Sequence, residues 1–178
     1  LINTHYLSDQ VDNFIDHSKY KRSIKVIHEK KLLGTAGTLL ENISFFDNQD
    51  GIFLHADNYT LDNMKNFIKY HANRPKGCLL SMMTFETNDP SNCGIINKNK
   101  NNVVTKFYEK KKGIYGNEAN GAVYILSKEF QKLFLEKYSQ SYDFSSEILS
   151  SMENQIVAYK TDKLFIDIGT VNNYNLVK

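Results

Sequence analysis

The chain has little that would staple it, anchor it or draw it to a polyanion. Two cysteines, Cys78 and Cys93, among 178 residues are no disulfide framework and lack metal-ligand spacing. Each reads as a small apolar side chain in a reducing compartment. No apolar run approaches the roughly 20 residues of a membrane-crossing helix, and no charged-then-apolar leader opens the chain. A cytoplasmic location without a membrane partner is expected. Neither sign of charge dominates, with 22 basic against 20 acidic residues and a formal charge of +2. The run Lys110-Lys111-Lys112 is too short for a nucleic-acid patch, so no nucleic-acid partner is expected and any phosphate handled is small. Nothing in the composition divides the chain, and a single domain over residues 1–178 is expected. Leu1-Ile2-Asn3 has no initiator Met and begins as though already inside a strand, as a chain would that lacks its natural start.

What is present centres on Gly51-Ile-Phe-Leu-His-Ala-Asp57-Asn-Tyr-Thr60, an apolar run that ends on a carboxylate. The run predicts a buried strand, and Leu61, Met64, Phe67 and Ile68 predict a following helix. Asp57 then lies at a strand's carboxyl end, the edge of an open α/β sheet where ligands bind. A helix cap is the structural alternative for Asp57, although Thr60 is better placed for that duty. Leu164-Phe-Ile-Asp167-Ile-Gly-Thr170 repeats the pattern, with Gly169 and Thr170 opening a last short helix. Two strand-end carboxylates supply hard oxygen ligands of the kind Mg²⁺ takes while it keeps several waters. If Asp57 and Asp167 share one ion, their carboxyl groups approach to within about 4–6 Å.

Around these runs the chain alternates between the two periodicities, which defines the class as α/β. Ser8 predicts a cap for a helix with Val11, Phe14 and Ile15 inward, and Ile24–Ile27 predicts a strand. Leu33-Gly34-Thr35-Ala36-Gly37 is a small-residue turn at a helix start, where backbone amides can receive an anion or a base edge; close packing of the turn is the alternative. Cys78–Phe85 predicts a second buried strand, and residues 94–107 a hairpin with an Asn- and Lys-rich tip. Glu109 and Lys110 follow it, and Asn120 opens the strand Gly121–Leu126. A carboxylate, a lysine and an amide at neighbouring strand ends suit a phosphorylated, hydroxyl-rich ligand, with a solvated surface loop as the alternative. Ser127 predicts a helix cap, and Asp143 or Ser145 another.

Six short segments, taken together, resemble the sugar-phosphate nucleotidylyltransferases (nucleotide-sugar pyrophosphorylases): Leu-Gly-Thr-Ala-Gly at 33–37, His-Ala-Asp-Asn at 55–58, Cys-Gly-Ile at 93–95, Phe-Tyr-Glu-Lys at 107–110, Asn-Gly-Ala-Val-Tyr at 120–124 and Phe-Ile-Asp-Ile-Gly-Thr at 165–170. They stand in the family's order over nearly the whole chain. The resemblance implies a Rossmann-like nucleotide-binding fold, a mixed sheet flanked by helices. It also implies transfer of a nucleoside monophosphate from an NTP to a sugar 1-phosphate with release of pyrophosphate. It places Gly34, Thr35, Ala36 and Gly37 at the nucleobase and Asp57 and Asp167 on Mg²⁺, with Asp57, Lys110 and Asp167 as the catalytic set. Glu109 would bind sugar hydroxyls, Lys110 the sugar phosphate, Asn120 the sugar or its phosphate, and Gly94 would let the sugar approach the backbone.

The chain departs from the family at Ala56, where Gly is common, and at Val171, where Pro is common. It also lacks the family's first strand and the Gly-rich loop that grips the NTP phosphates. The phosphate-binding unit is therefore expected to be absent, leaving a gap with unpaired backbone and apolar surface, and the chain alone is expected to be inactive. Residues 55–58 and 93–95 lean toward polysaccharide-precursor members, a guanine nucleotide and a mannose- or heptose-like sugar. The rival classes are a metal-dependent glycosyltransferase that uses an existing nucleotide sugar, and a non-catalytic nucleotide-sugar-binding domain. The released product separates the first rival, and a Gly-rich loop encoded in frame upstream would exclude the second.

Overall fold

A computed structural model of the chain describes every residue except Lys112 and Ile114. The third lysine of the 110–112 run therefore lies outside the described residues. In chain order the elements are β1 (Ile2–Thr4), α1 (Ser8–Asp16), β2 (Val26–His28), α2 (Gly34–Glu41), β3 (Gly51–Leu54), β4 (Asn58–Thr60), α3 (Met64–Ala72), β5 (Leu80–Glu86), β6 (Gly94–Lys98), β7 (Val104–Glu109), β8 (Glu118–Leu126), α4 (Lys128–Lys137), β9 (Ile156–Lys160), β10 (Phe165–Asp167) and α5 (Val171–Val177).

The long strand β8 organises the sheet. Along one edge it pairs antiparallel with β5, and β5 pairs parallel with β9. Along the other edge its carboxyl half pairs antiparallel with β3, and its amino half meets β6, which continues into the β6–β7 hairpin. Two smaller ladders stand apart from this sheet, a parallel β1–β2 pair and an antiparallel β4–β10 pair.

Residues 80–84 are buried on both faces of the sheet, as expected for a strand covered on both sides. Period-two alternation sorts them. Leu80 and Met82, with Tyr124 and Leu126 of β8, join Phe130, Phe134, Phe144, Ile148, Leu149 and Met152 in the larger core. Met83, Val123 and Ile125 face the other way and meet Phe67 of α3 and Phe165 of β10. Ser81 also faces α3, where its hydroxyl bonds His71 Nδ1 at 2.7 Å. A buried phenylalanine contributes about 1.5–3 kcal/mol relative to exposure, so the four fully buried here anchor both layers.

Several local expectations are corrected. The run Gly51–Leu54 is a strand but not a buried one, with Ile52 37% and Leu54 50% exposed. The cause is pairing on one edge only; the other edge borders a cavity of about 690 Å³ that separates β3 from β1. Thr60 does not cap α3, because Asn58–Thr60 is taken up in the ladder with β10; Asn63 caps instead, its side chain accepting from Lys65 N at 3.0 Å. Ser8 is the first residue of α1 rather than its cap; Leu7 precedes it in the left-handed region without a side-chain cap. Of that helix's predicted apolar face only Ile15 is buried, while Phe14 is 76% exposed. Ser127 and Asp143 cap as expected, accepting from Phe130 N and Ser146 N at 3.1 and 2.8 Å.

One irregularity in β8 shapes everything near the candidate site. Its register with β5 shifts between Met82 and Thr84, where Ala122 has φ +49°. Gly121 sits in this bulge, and a Cβ there would lie 2.8 Å from the Phe165 ring and 3.0 Å from Met83 O. The strand carbonyl cannot move away cheaply, so Gly121→Ala should destabilise by roughly 1–3 kcal/mol through overpacking. A melting temperature lowered by at least about 2 °C in thermal denaturation is the expected result.

Candidate functional site

Asp57 and Asp167 meet because β4 and β10 do. The ladder sets Asp167 opposite Asn58, and Ile168 N donates to Asp57 O at 2.8 Å. A Cβ placed on Gly169 would lie 2.9 Å from Asp167 Oδ1 and 3.5 Å from Asp57 Oδ2. The two carboxylate oxygens therefore flank one small volume, which bounds their separation well inside the about 10 Å that one ion with bridging waters spans. Both side chains are exposed to solvent, and Gly169 N donates to Asp167 Oδ1 at 2.7 Å, fixing that carboxylate's direction. Among the described residues no group of three or more His, Cys, Asp or Glu is arranged for a metal. Two exposed carboxylates fit a hard divalent cation whose remaining ligands come from water and phosphate, and do not fit a closed all-protein cage.

The loop that carries Asp57 is hung from the β8 bulge. Ala122 O accepts from His55 N at 3.1 Å and from Asn58 Nδ2 at 3.4 Å, which brackets Asp57 from both sides in sequence. The same bulge aims Asn120, whose Oδ1 accepts from Ala122 N at 2.9 Å and whose Nδ2 donates to Tyr124 Oη at 2.8 Å. Tyr124 is fully buried, and burial pushes its phenol well above the ordinary range, so the hydroxyl stays neutral at any physiological pH.

Glu109 and Lys110 follow from the β6–β7 hairpin. The register pairs Gly94 with Glu109, and Lys110 N donates to Cys93 O at 3.3 Å. A Cβ on Gly94 would lie 2.7 Å from Glu109 Oε2 and 2.8 Å from the Phe107 ring. The space that the glycine leaves is thus filled by the protein's own carboxylate and ring, so the expected open approach to the Gly94 backbone is not present. Burial raises the Glu109 carboxyl above the usual range, against the opposing pull of Lys110. Lys110 is exposed and has φ +44°, a conformation that a non-glycine residue adopts at a cost of about 1–3 kcal/mol. Burial likewise raises the Cys93 thiol.

The turn at 34–37 divides. Gly34 and Thr35 line the cavity beside β3, which runs on to Asp57, while Ala36 is fully buried and Gly37 is off the cavity wall. Ala36 N is already spent on Tyr142 O at 3.0 Å, so this amide is not open to a ligand. Gly34 has φ +75°, and a Cβ there would sit 2.3 Å from Tyr142 O. Close packing against Tyr142 accounts for that glycine. Thr35 Oγ1 donates to Asp143 Oδ2 at 3.2 Å and accepts from Phe144 N at 2.8 Å. Burial opposes ionisation of Asp143, yet bonds from Ser146 and Thr35 hold its carboxyl below the usual range. Glu109, Lys110 and Asn120 lie off the lining of this cavity.

Sequence reasoning gave no individual role to Asn58, Ala122 and Tyr124, which stand within the segments that carry the resemblance, and missed Glu29 altogether. Gly121 inside a strand pattern is a bulge signal and could have found Ala122. Glu29 had no signal: it is buried on the cavity wall, accepting from Asn3 Nδ2, Leu33 N and Thr38 Oγ1 at the start of α2.

A mixed sheet flanked by helices, with two carboxylates meeting at the β4–β10 ladder beside a glycine-bordered cavity, defines an α/β protein with a candidate anion- and metal-handling site. The nucleotidyl transferase family model matches residues 1–177, and the chain belongs to that family. Its members generally use divalent metal ions. Among curated proteins the chain is 27% identical over 150 residues to a glucose-1-phosphate adenylyltransferase of Clostridium acetobutylicum, covering 79% of this chain and 40% of that protein. It is 28% identical over 152 residues to the enzyme of the same name from Mycoplasma mobile, covering 79% and 40%. The chain thus spans about 40% of the length of these relatives. Among solved structures it is similar to HddC from Yersinia pseudotuberculosis, with a TM-score of 0.75 and 22% identity over 98% of this chain and 74% of that one. HddC complexed with GMP-PN gives 0.74 and 23%, over 97% and 73%.

The raised Glu109 carboxyl has a consequence for stability. A group with a raised folded value favours the fold while protonated, below the ordinary Glu range, and that contribution is lost as pH rises through the folded value. Glu109→Gln should therefore flatten the loss of stability above the ordinary Glu range. At pH 7 it should melt above the parent in a calorimetric scan, and the difference should vanish below the ordinary Glu range.

Proposed function

We propose that the protein, at its full length, transfers a nucleoside monophosphate from an NTP to a sugar 1-phosphate and releases pyrophosphate. The observation that carries this reading is the convergence of Asp57 and Asp167 on one small volume in a member of the nucleotidyl transferase family. In the reaction an oxygen of the sugar phosphate attacks the α-phosphorus, the α–β phosphoanhydride bond breaks, and its electron pair leaves with pyrophosphate. Two anionic reactants repel each other, so the site must neutralise and align them together.

In this reading Asp57 and Asp167 would hold Mg²⁺, which when bound supplies charge neutralisation at the phosphates. Lys110 meets the sugar phosphate as a point charge, and Glu109, ionised above its raised value, accepts from sugar hydroxyls. Gly94 serves by giving Glu109 its place. Asn120 contacts the sugar or its phosphate from the β8 bulge. Gly34 and Thr35 border the base, whereas Ala36 and Gly37 support the turn from behind. For the base we infer guanine and for the sugar a mannose- or heptose-like ring, of a polysaccharide-precursor pathway in the cytoplasm. The adenylyltransferase relatives make ATP the competing donor to test against.

Two measurements on the full-length protein test this. Pyrophosphate release is followed with GTP, ATP, dTTP and UTP against mannose, heptose and glucose 1-phosphates; activity with GTP and a mannose- or heptose-type phosphate is expected, and nucleoside diphosphate release from a nucleotide sugar instead would overturn the transfer reaction. Asp57→Asn and Asp167→Asn should each lower turnover roughly 10²-fold and weaken Mn²⁺ binding read by electron paramagnetic resonance. Lys110→Ala should raise KM for the sugar 1-phosphate roughly tenfold or more and leave KM for the NTP nearly unchanged. A change confined to the NTP would place Lys110 on the other substrate.

A further inference from the structure

The geometry points to Tyr124 as a positioning residue for the sugar phosphate, acting through Asn120. The inference rests on the transfer reaction proposed above and on the place of Asn120 in it. Asn120 is half-buried at the start of the bulge, and a carboxamide there could turn about its last torsion and present either end to a ligand. Two bonds prevent this. Ala122 N, held by the left-handed bulge, can only donate, so it takes Oδ1. Tyr124 Oη accepts from Nδ2 at 2.8 Å.

The amide is thereby fixed with one Nδ2 hydrogen and one Oδ1 lone pair left for a ligand. Tyr124 itself touches no ligand, being 0% exposed with its ring packed near Phe53 and Phe144 at centroid distances of 6.1 and 5.0 Å. Phenylalanine would keep these ring contacts, so the hydroxyl has no packing duty. Its function is orientation, and its location under Asn120 makes that orientation specific to the sugar side. Tyr124 is not on the wall of the cavity that borders Gly34 and Thr35, and its one ring contact with that wall, at Phe53, is a contact phenylalanine keeps.

The test compares Tyr124→Phe, Asn120→Ala and the double variant in the full-length protein, by steady-state pyrophosphate release. Tyr124→Phe should raise KM for the sugar 1-phosphate roughly 3–10-fold with KM for the NTP within about twofold of the parent, the scale of one neutral hydrogen bond. In the Asn120→Ala background the same change should add nothing, since the group it orients is gone. Equal loss on both substrates, no change in the single variant, or the same fold-effect without Asn120 overturns the inference. Should Tyr124→Phe fail to fold, the parent still decides the point by NMR. Two well-separated Asn120 side-chain amide signals with slowed hydrogen exchange support a fixed carboxamide, and collapsed, fast-exchanging signals overturn it. A parent that releases no pyrophosphate with any NTP and sugar 1-phosphate refutes the transfer reaction itself, a result distinct from an active parent with an indifferent Tyr124.

Discussion

The bulge in β8 is the constraint on which the candidate site depends. A regular strand would place residues 120 to 123 alternately up and down in register with β5, and would leave their carbonyls in the ladder. Instead Ala122 turns into the left-handed region, which frees its carbonyl for His55 and Asn58 and its amide for Asn120. One irregular residue thereby anchors the Asp57 loop on one side and fixes a carboxamide on the other. Gly121 completes the arrangement by letting Phe165 press against the bulge, which brings β10 and Asp167 to Asp57. Bulges that re-aim side chains beside functional sites are a general device of sheets, and this one serves three segments far apart in sequence.

The cores explain why this irregularity is tolerated. On either side of the bulge β8 is locked into regular pairing, at residues 123–126 against β3 and 124–126 against β5, and at 118–120 against β5. Tyr124 and Leu126 sink into the larger core and Val123 and Ile125 into the smaller one. Register is strongly specified where both faces are buried, because a slip by one residue would exchange the two sets of side chains. The left-handed residue therefore sits between two well-determined stretches and cannot relax by sliding.

Much of this was legible in the sequence, for identifiable reasons. The α/β class followed from alternating periodicities. Asp167 at the end of β10 could be read from an apolar run that stops on a carboxylate, and the hairpin from its polar tip; Asp57 was found the same way, but it lies in the turn between β3 and β4, three residues beyond the strand it was expected to end. What misled were the local rules applied where tertiary pairing overrode them. Thr60 looked like a cap by side-chain chemistry, but β10 claimed its backbone as a strand. Gly51–Leu54 looked buried by composition, yet burial depends on neighbours, and β3 has one. The glycines at 34–37 looked like exposed amides, while Tyr142, more than a hundred residues onward, occupies the space and one of the amides. Glu29 was invisible, and Tyr124 was only a member of a quoted segment, because their importance lies in what they bond, which a single sequence does not encode locally.

The distribution of unfavourable backbone gives an independent view of where the chain is constrained by something other than folding. Seven non-glycine residues among those described have positive φ: Leu7, Asp47, Asn48, Asn102, Lys110, Ala122 and Asn154. The four Asp and Asn residues need no special account, since short polar side chains tolerate that region and suit turns. Leu7, Lys110 and Ala122 have no such chemistry, and two of these three adjoin the acidic groups. Glu109, next to Lys110, adds a carboxylate buried against its own charge. Backbone strain of about 1–3 kcal/mol per residue persists only where the surroundings over-determine it. At Ala122 the surroundings are the two cores, and at Lys110 they are the β6–β7 ladder together with the bond to Cys93 O. The scaffold thus spends its rigidity on the strand ends near the acidic groups, while the other register shift, between Asn97 and Lys98, sits toward the hairpin tip where the polar turn absorbs it.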